Sequence, residues 1–388
     1  MSKINRVRIG IEGHRILHPR RHGMAVACAA LIRALVTANP HHDYFIYVDR
    51  PDDEGLLGQH PNLHLRALPQ ANYALWEQCA LPVAMQRDRI DLAHFTSNTA
   101  PLYAGRPYVL TLHDVIFMQP QLKGRPTSYQ RLGRIYRRWV VPKVIHSAAR
   151  IITVSQYAKR GIVREFGVQP DRVRVIHNGV GAGFAPVVGQ RPSSESHFLF
   201  LGSDAPKKNQ DRVLQAYAKL CAGVPDAPKL VVIDGTLGTL AANLKRLGLT
   251  HLRNRVTATP YVSQKRLPSL YAGATALLYP SLVESFGIPM LEAMAVGTPV
   301  LASRAAAMPE IAGNAALLVD PTSVEAIAAG MARLAAQPEL REVLACRGLQ
   351  RAKRYQWKSA AELTAQLYEN VLIRSGRLQL TPQLEAVS

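Results

Sequence analysis

The chain has 388 residues, 48% of them hydrophobic, and a formal net charge of +20 at pH 7. This length and composition indicate a globular protein of two domains, and no apolar run reaches the roughly 18 residues that a membrane-spanning helix needs. The charge, much of it in the first half of the chain, favours an anionic partner such as nucleic acid, acidic lipid or a phosphorylated substrate. A solvated basic surface is the alternative.

Short apolar runs alternate with longer amphipathic runs. In the first half of the chain, strands are predicted at 7–11, 44–48, 91–95, 108–112, 150–155 and 173–177, and a helix at 27–38. In the second half, strands are predicted at 197–202, 229–235, 256–262, 276–281, 299–303 and 316–320, and a helix at 210–222. Strands that alternate with helices indicate parallel sheets covered on both faces.

A segment rich in glycine, proline and serine, 181–196, interrupts this pattern and has no helical or strand period. We therefore predict an N-terminal domain over 1–180, a linker over 181–196 and a second domain over 197–355. A last helix, at 360–372, lies in the remaining segment 356–388, which we expect to pack back toward the first domain. The predicted fold class is α/β, with two doubly wound sheets whose ligands bind beyond the carboxyl ends of the strands, in a cleft where the domains face each other.

The expected compartment is the cytoplasm. The N-terminal residues enter a strand pattern at once, without the apolar stretch and small-residue cleavage site of a signal peptide. The four cysteines lie far apart and form no C-x-x-C pair, so they indicate free thiols rather than a zinc or redox site.

The stretch SLVESFGIPMLEAMAVGTPVLAS, residues 281–303, predicts a short helix between two turns. Pro289 suits the first turn of a helix and Gly297 the position just past its end, so the helix is expected over about 289–296. The backbone N–H groups of Phe286, Gly287 and Ile288 would then form an anion site, which Gly287 allows a ligand to approach closely.

Two acids flank this predicted anion site. Glu284 precedes the helix and Glu292 lies one turn inside it. Carboxylates beside a phosphate are unfavourable unless they accept hydrogen bonds from neutral groups, and sugar hydroxyls fit that requirement. Lys207 and Lys208, at a second predicted strand-to-helix turn in LGSDAPKKNQDRVL (201–214), can hold a diphosphate, although a solvated surface turn is equally compatible with them. Together these features suggest a nucleotide sugar.

Three further segments lie in the first half. His113 and Asp114 follow the strand YVLTL, where a histidine would point into a cleft, although a structural histidine is the plainer interpretation. EGHRILHPRRHGMAVA (12–27) contains a glycine, Gly23, before a predicted helix. The basic segment 127–150 carries Leu132, Ile135, Trp139 and Val140 at helical spacing, among Arg131, Arg134, Arg137 and Arg138. We expect its apolar face to pack in the core, with its basic side free to contact an anionic membrane surface.

These motifs resemble those of glycosyltransferase family 4, whose members are retaining enzymes of the GT-B fold, and the resemblance leans toward its mannosyltransferase-like branch. It spans nearly the whole chain. VSQYAKRGIVREFGV and VRVIHNGV (154–180) resemble the family's pattern at the end of the first domain, and LGSDAPKKN resembles its Gly-x-x-x-Pro-Arg-Lys-Asn loop. Residues 261–303 resemble its Glu-x7-Glu motif.

The resemblance implies a role for each matching residue. Glu284 would contact the donor sugar, Glu292 the ribose, and Lys208 the diphosphate of the leaving group, with Lys207 beside it. Other donor contacts would come from the backbone of Val262 at the nucleobase and from further positions: Gly23, Asp114, Gly202, Ser203, Phe286, Gly287 and Ile288. His113 would lie near the anomeric carbon and, with Glu284 and Lys208, form the catalytic set. Two departures matter: Lys207 stands where the family usually has arginine, so bidentate phosphate binding is lost, and the family's Gly-Arg-Tyr after its glycine-rich loop is missing near Gly23.

No Asp-x-Asp motif occurs, so we expect no metal and no cofactor other than the donor substrate. The resemblance implies GDP-mannose as donor and a lipid-linked or growing surface polysaccharide as acceptor, at the inner face of a bacterial membrane. Two alternatives remain open. One is a nucleotide-sugar epimerase of the same fold, against which the Glu-x7-Glu motif argues. The other is a non-catalytic nucleic-acid-binding protein, for which only the charge speaks.

Overall fold

All paired strands run parallel to their neighbours, in two separate sheets. The structure is a computed structural model that describes residues 6–19, 21, 23–70, 72–119, 128–186, 196–202 and 205–378. The described residues up to 179, together with 357–378, form one compact unit, called unit 1 here. Residues 180–356 form the other, unit 2.

The sheet of unit 1 has seven strands in the order β3-β2-β1-β4-β5-β6-β7. Its strands are β1 (Arg8–Glu12), β2 (Asp43–Val48), β3 (Leu63–Ala67), β4 (Leu92–Phe95), β5 (Tyr108–Thr111), β6 (Arg150–Thr153) and β7 (Val173–Val175). Its helices up to residue 179 are α1 (Gly23–Ala38), α2 (Tyr73–Leu75), α3 (Leu81–Arg87), α4 (Ser128–Ser147) and α5 (Gln156–Phe166), with a π-helical turn at Trp76–Ala80 and a 3-10 turn at Pro170–Arg172.

The sheet of unit 2 has six strands in the order β10-β9-β8-β11-β12-β13. They are β8 (His197–Leu201), β9 (Lys229–Ile233), β10 (Val256–Thr259), β11 (Ala276–Tyr279), β12 (Val300–Ser303) and β13 (Leu317–Val319). Its helices are α6 (Gln210–Gly223), α7 (Leu237–Arg246), α8 (Leu267–Ala272), α9 (Ile288–Ala295), α10 (Met308–Ala312), α11 (Val324–Ala336) and α12 (Pro338–Ala352), with 3-10 turns at Pro206–Lys208 and Thr250–Leu252.

The central strands of unit 1 are buried on both faces because successive side chains enter two different apolar clusters. Ile9, Tyr44 and Ile46 belong to the cluster on the side of α1, whereas Phe45 and Tyr47 belong to the cluster on the side of α4. This two-sided burial explains why these strands read as continuous apolar runs in the sequence. In unit 2, strands β8, β9 and β11 pack in the same way against α6 and α11.

The last helix, α13 (Trp357–Arg374), is longer than the predicted 360–372 and belongs to unit 1. It packs along α1, and Ala361, Tyr368 and Leu372 are fully buried in the cluster shared with β1 and β2. The Tyr368 hydroxyl lies 2.5 Å from Nδ1 of His94 on β4. Part of the predicted linker, 187–195, lies outside the described residues.

The sequence analysis missed strand β3. The strand expected over 256–262 ends at Thr259, so Val262 lies in the following loop. None of the helices in the described part of the chain is both long and apolar enough to cross a membrane.

In each sheet the strand order reverses at one point, between β1 and β4 in unit 1 and between β8 and β11 in unit 2. At such a point the loops that follow the two strands diverge and leave a crevice at the carboxyl edge of the sheet, where doubly wound proteins bind their ligands. Lys208 follows β8, Glu284 follows β11 and Glu12 ends β1, so each crevice has at least one candidate residue at its edge.

Candidate active site

The crevice of unit 2 brings together residues that lie far apart in the sequence. Lys208 ends the 3-10 turn after β8, and Glu284 follows β11. Lys208 Nζ lies 2.8 Å from Glu284 Oε1, and Lys207 Nζ lies 3.7 Å from Glu284 Oε2. The two lysines predicted to hold a diphosphate and the acid predicted to contact a sugar therefore form one ion-paired cluster.

The charge of Glu284 is set by two opposing effects. The carboxyl group is buried, which by itself would raise its pKa, but the ammonium groups of Lys208 and Lys207 outweigh burial and hold the pKa below its usual range. Glu284 is therefore an anion at neutral pH. The lysine side chains remain partly accessible, 37% exposed for Lys207 and 18% for Lys208, so an anionic ligand can reach them.

Tyr279, the last residue of β11, adds a group that sequence reasoning missed. Its hydroxyl lies 3.4 Å from Lys208 Nζ, and the ammonium stands 4.9 Å from the centre of its ring. Both contacts orient the ammonium group. Only its position at the end of a central strand could have marked Tyr279 in the sequence.

Asn209 fixes the lysine-bearing loop. Its backbone is left-handed, with φ of 66°, and its side-chain amide donates to the carbonyl oxygens of Pro280, at 3.0 Å, and Pro321, at 2.6 Å. The Leu282 N–H also donates to the Lys207 carbonyl at 2.8 Å. The sequence correctly places a helix start here, since α6 begins at Gln210, but the asparagine side chain ties three loops together instead of capping that helix.

The turn before α9 depends on glycine. α9 begins at Ile288, one residue before the predicted start, and Pro289 occupies its first turn. Gly287 has φ of +95°, and a Cβ atom there would lie 2.8 Å from Cε of Met308. Only glycine fits this position without strain. The Phe286 side chain is buried and packs edge to face on Tyr355, with ring centres 5.7 Å apart.

Glu292, inside α9, is only 3% exposed, and its Oε2 accepts a hydrogen bond of 3.2 Å from the hydroxyl of Tyr271 on α8. Burial raises the pKa of Glu292 to about 7. Sequence reasoning treated this residue as a carboxylate, whereas the structure places its ionisation near neutral pH. Tyr271 was not singled out in the sequence.

The other donor-site residues predicted in unit 2 lie around the same sheet edge. Gly202 directly follows β8, donates to the Ile233 carbonyl at 3.0 Å, and has no room for a Cβ atom, which would lie 2.6 Å from Cγ1 of Val232. Val262 is half-buried in the loop after β10. Ser203 lies outside the described residues.

The crevice of unit 1 contains a buried acid that sequence reasoning missed. Glu12 is the last residue of β1, and its carboxylate accepts from the His14 N–H at 2.9 Å and from the N–H and hydroxyl of Thr96 at 3.2 and 3.0 Å. Cys28 of α1 lies 3.3 Å from the same hydroxyl, and burial raises the pKa of its thiol to about 12. That thiol is protonated and inert at neutral pH.

His113 joins this network. The main-chain N–H of His113 donates to Asn98 Oδ1 at 2.7 Å, and its ring Nε2 lies 3.0 Å from the Thr96 carbonyl. A carbonyl can only accept, so Nε2 carries the proton and Nδ1 is the acceptor of the ring. Burial lowers the pKa of His113, which keeps the imidazole neutral. The ring lines an otherwise mainly apolar pocket with Cys28, Thr96 and Trp357.

The remaining predicted residues of unit 1 adopt local roles in the backbone. Asp114 Oδ1 accepts from the Ile116 N–H at 3.0 Å and closes the turn after β5. Gly23 begins α1 with φ of +37°.

Two parallel α/β units, with basic and acidic groups at the crevice of unit 2, fit a glycosyltransferase of the GT-B fold, and two family models and a solved structure show that class. Residues 186–351 match the family model described as "Glycosyl transferases group 1", and residues 21–182 match "Glycosyltransferase Family 4". The chain belongs to glycosyltransferase family 4, which confirms the resemblance found in the sequence.

The chain is similar in sequence to two mannosyltransferases and in fold to a solved structure. The chain is 30% identical over 278 residues to O-antigen chain mannosyltransferase B of Escherichia coli, covering 67% of this chain and 70% of that protein. It is 28% identical over 273 residues to O-antigen chain mannosyltransferase RfbU of Salmonella typhimurium, covering 69% and 71%. The structure of sucrose-phosphate synthase from Thermosynechococcus elongatus superposes with a TM-score of 0.76 at 19% identity, covering 95% of this chain and 100% of that chain.

Proposed function

We propose that the protein is a retaining mannosyltransferase that moves mannose from GDP-mannose to a hydroxyl of a lipid-linked or growing surface polysaccharide. The observation that carries the proposal is the ion pair between Lys208 and Glu284 at the carboxyl edge of the unit 2 sheet. Both relatives named above are O-antigen chain mannosyltransferases, which supports mannose as the sugar and a surface polysaccharide as the acceptor class.

The two partners of the ion pair can each bind a different part of the donor. A diphosphate would attract the ammonium groups of Lys207 and Lys208, and Glu284 would then have Oε1 available for a sugar hydroxyl. Because a buried carboxylate is costly without a partner, the lysines could move away only if another donor replaces them, and a sugar hydroxyl would be that donor. Glu292, on α9, would accept from the ribose hydroxyls.

The same groups would lower the barrier to transfer. As the bond between the anomeric carbon and the diphosphate oxygen breaks, negative charge grows on the diphosphate, where preorganised cations stabilise it most effectively. The acceptor oxygen forms its bond to the anomeric carbon on the side from which the diphosphate leaves, and its proton passes to a phosphate oxygen. In the crevice of unit 1, His113 is neutral, so it can act there as a hydrogen-bonding group and not as a strong acid.

We further propose that no metal ion takes part and that the enzyme works in the cytoplasm, at the anionic inner face of the plasma membrane. The lysine pair supplies the positive charge that a metal would otherwise bring. Acceptors of this class are anchored in that membrane, and the net charge of +20 favours its anionic lipids over bulk water. No nucleic acid partner is expected.

A panel of nucleotide sugars tests the donor. At 100 times its dissociation constant, GDP-mannose should stabilise the protein by about 2.7 kcal/mol in thermal unfolding, and UDP-glucose at the same concentration should do so much less. Transfer of labelled mannose to an acceptor with retained anomeric configuration, followed by NMR, tests the reaction. Stabilisation by another nucleotide sugar alone would refute the donor, and turnover of the donor to an epimer without acceptor would refute the transferase assignment.

A further inference from the structure

Helix α4 presents apolar side chains to solvent. Leu132, Ile135 and Trp139 are 67%, 64% and 52% exposed, whereas Val140 and the following Val141 are fully buried. The expectation that Leu132, Ile135 and Trp139 pack in the core with Val140 was therefore wrong. Helical geometry explains the difference, because Val140 lies about 80–140° around the helix from the other three, at about 100° per residue, and can be buried while they are exposed.

The exposed face is amphipathic in its own right. Leu132, Ile135 and Trp139 fall within about 60° of one another around the helix axis, with Arg131 and Arg138 along one edge and Lys143 at the other. All three basic residues are exposed, and Lys143 Nζ lies 3.6 Å from the centre of the Trp139 ring. The sequence of α4 contains no acid. An apolar stripe with cations on both edges is the pattern of helices that lie in a membrane interface.

The other two arginines of the predicted basic cluster lie elsewhere on the helix. Arg134 is half-buried; its Nε donates to the Phe117 carbonyl at 3.0 Å, and its Nη2 donates to the Gln119 carbonyl. Arg137, likewise half-buried, points to the same side as Arg134 by helical geometry. The basic edge of the exposed face is therefore Arg131 and Arg138, and not all four arginines.

A neighbouring loop continues the apolar exposure. Leu102 and Tyr103 are 45% and 82% exposed. The Leu102 N–H donates to Gln78 Oε1 at 2.9 Å, and Gln78 Nε2 donates to the hydroxyl of Tyr136 on α4 at 2.7 Å. This chain of hydrogen bonds fixes the loop beside the helix.

We propose that this face of α4 inserts into the interface of an anionic bilayer, with Leu132, Ile135 and Trp139 among the upper acyl chains. Arg131, Arg138 and Lys143 would extend to the lipid phosphates, as long basic side chains do when their stems are buried. The inference rests on the proposed membrane location but is independent of the donor sugar. Insertion adds an apolar contribution to the electrostatic attraction between the protein and the membrane, and salt does not screen the apolar contribution.

Anionic lipid is the occupant that the charges favour. Each basic residue near such a surface adds attraction, and no acid on α4 opposes it. Burying one large aliphatic side chain should strengthen partition about tenfold, since burial of this size is equivalent to roughly one decade in a binding constant.

Vesicle sedimentation with a matched pair of variants tests the insertion. Leu132→Ser removes an exposed leucine from the proposed face, and Leu237→Ser removes one of similar exposure, 65%, from α7 of unit 2. On vesicles of phosphatidylglycerol and phosphatidylethanolamine, Leu132→Ser should lower the partition constant about tenfold and Leu237→Ser should leave it unchanged. Wild-type protein should keep measurable binding in 1 M NaCl.

Tryptophan fluorescence provides a readout that needs no loss of binding. Of the three tryptophans, Trp139 is half-exposed, Trp76 is fully buried and Trp357 packs partly buried on the cluster of unit 1, so the emission of Trp139 should shift to shorter wavelength on vesicles and be quenched by brominated acyl chains. Trp139→Phe should abolish most of that shift while it keeps the binding.

Four results would overturn the inference. The first is equal pelleting of Leu132→Ser and wild type, and the second is wild-type binding that vanishes in 1 M NaCl without any fluorescence shift. The third is absence of binding to all vesicles. The fourth is a dimer that only Leu132→Ser dissociates, which would make a second copy of the chain the occupant of this face. Donor binding, measured without vesicles, should be the same in all variants. Failure of donor binding in the wild type would refute the proposed function and leave the vesicle results standing.

Discussion

We expect donor affinity to depend on pH, because the buried acid Glu292 ionises near neutral pH. If the carboxylate accepts hydrogen bonds from the ribose, only the ionised form binds the donor fully. With a pKa of about 7, the balance between the two forms changes across the neutral range. Affinity should therefore rise as the pH rises.

The size of the effect follows from the ionised fraction. About one eleventh of the molecules carry the ionised form at pH 6 and about ten elevenths at pH 8, and the apparent dissociation constant scales inversely with that fraction. GDP-mannose should therefore bind about tenfold more tightly at pH 8 than at pH 6. Tyr271→Phe removes a hydrogen bond that favours the carboxylate, so it should move the midpoint of this change to higher pH.

Calorimetric titration of the donor at several pH values measures this dependence, with Glu292→Gln as the control. The amide keeps the size of the side chain and cannot titrate, so its affinity should be lower than wild type at pH 8 and nearly constant across the range. Other titrating groups are common to both proteins and cancel in the comparison. A wild-type affinity that does not change between pH 6 and 8, or the same change in Glu292→Gln, would refute the reasoning.

Three further predictions concern the donor site. Lys208→Ala should reduce turnover about 100- to 1,000-fold, the usual effect of removing a group that stabilises developing negative charge. The variant should also lower stability, because the buried Glu284 loses its partner at 2.8 Å. Adding Glu284→Gln should recover stability in urea unfolding without recovering turnover. Turnover in the folded single variant near the wild-type rate would remove Lys208 from the mechanism. Activity should survive EDTA, and a loss that magnesium or manganese restores would show that an ion carries the diphosphate. Gly287→Ala should cost about 1–3 kcal/mol in the free energy of unfolding, because φ of +95° and the contact with Met308 both oppose a side chain; Gly238→Ala, with open space around it, should cost little, and equal effects would contradict the argument.

The sequence predicts the buried strands well for a physical reason. Strands such as β2 and β11 are covered on both faces, so nearly every residue is apolar and the run stands out. β3, with the sequence LHLRA, lies at the edge of its sheet and is only half-buried, so its apolar residues alternate with a histidine and an arginine and form no continuous apolar run. The error at α4 has a related origin, since spacing identifies an apolar face but not whether that face is covered.

The site was predictable as far as local motifs reach. Glu284 and Lys208 were found because each lies in a short pattern, but their contact joins segments more than 70 residues apart. Tyr271 and Tyr279 carry no pattern of their own and matter only through tertiary contacts. The ionisation of Glu292 depends on how completely the folded chain excludes water, which no spacing in the sequence expresses.

The place of α13 in unit 1 affects the order in which the chain can fold. The described residues of unit 2 all lie within 180–356, whereas those of unit 1 fall on both sides of that range, and α13 covers α1 and His94 there. During synthesis from the N-terminus, unit 2 is complete while the apolar face of α1 still awaits its partner. Unit 1 should therefore finish folding last. Nascent chains stalled on the ribosome before residue 357 is made should expose the apolar face of α1 to chaperones.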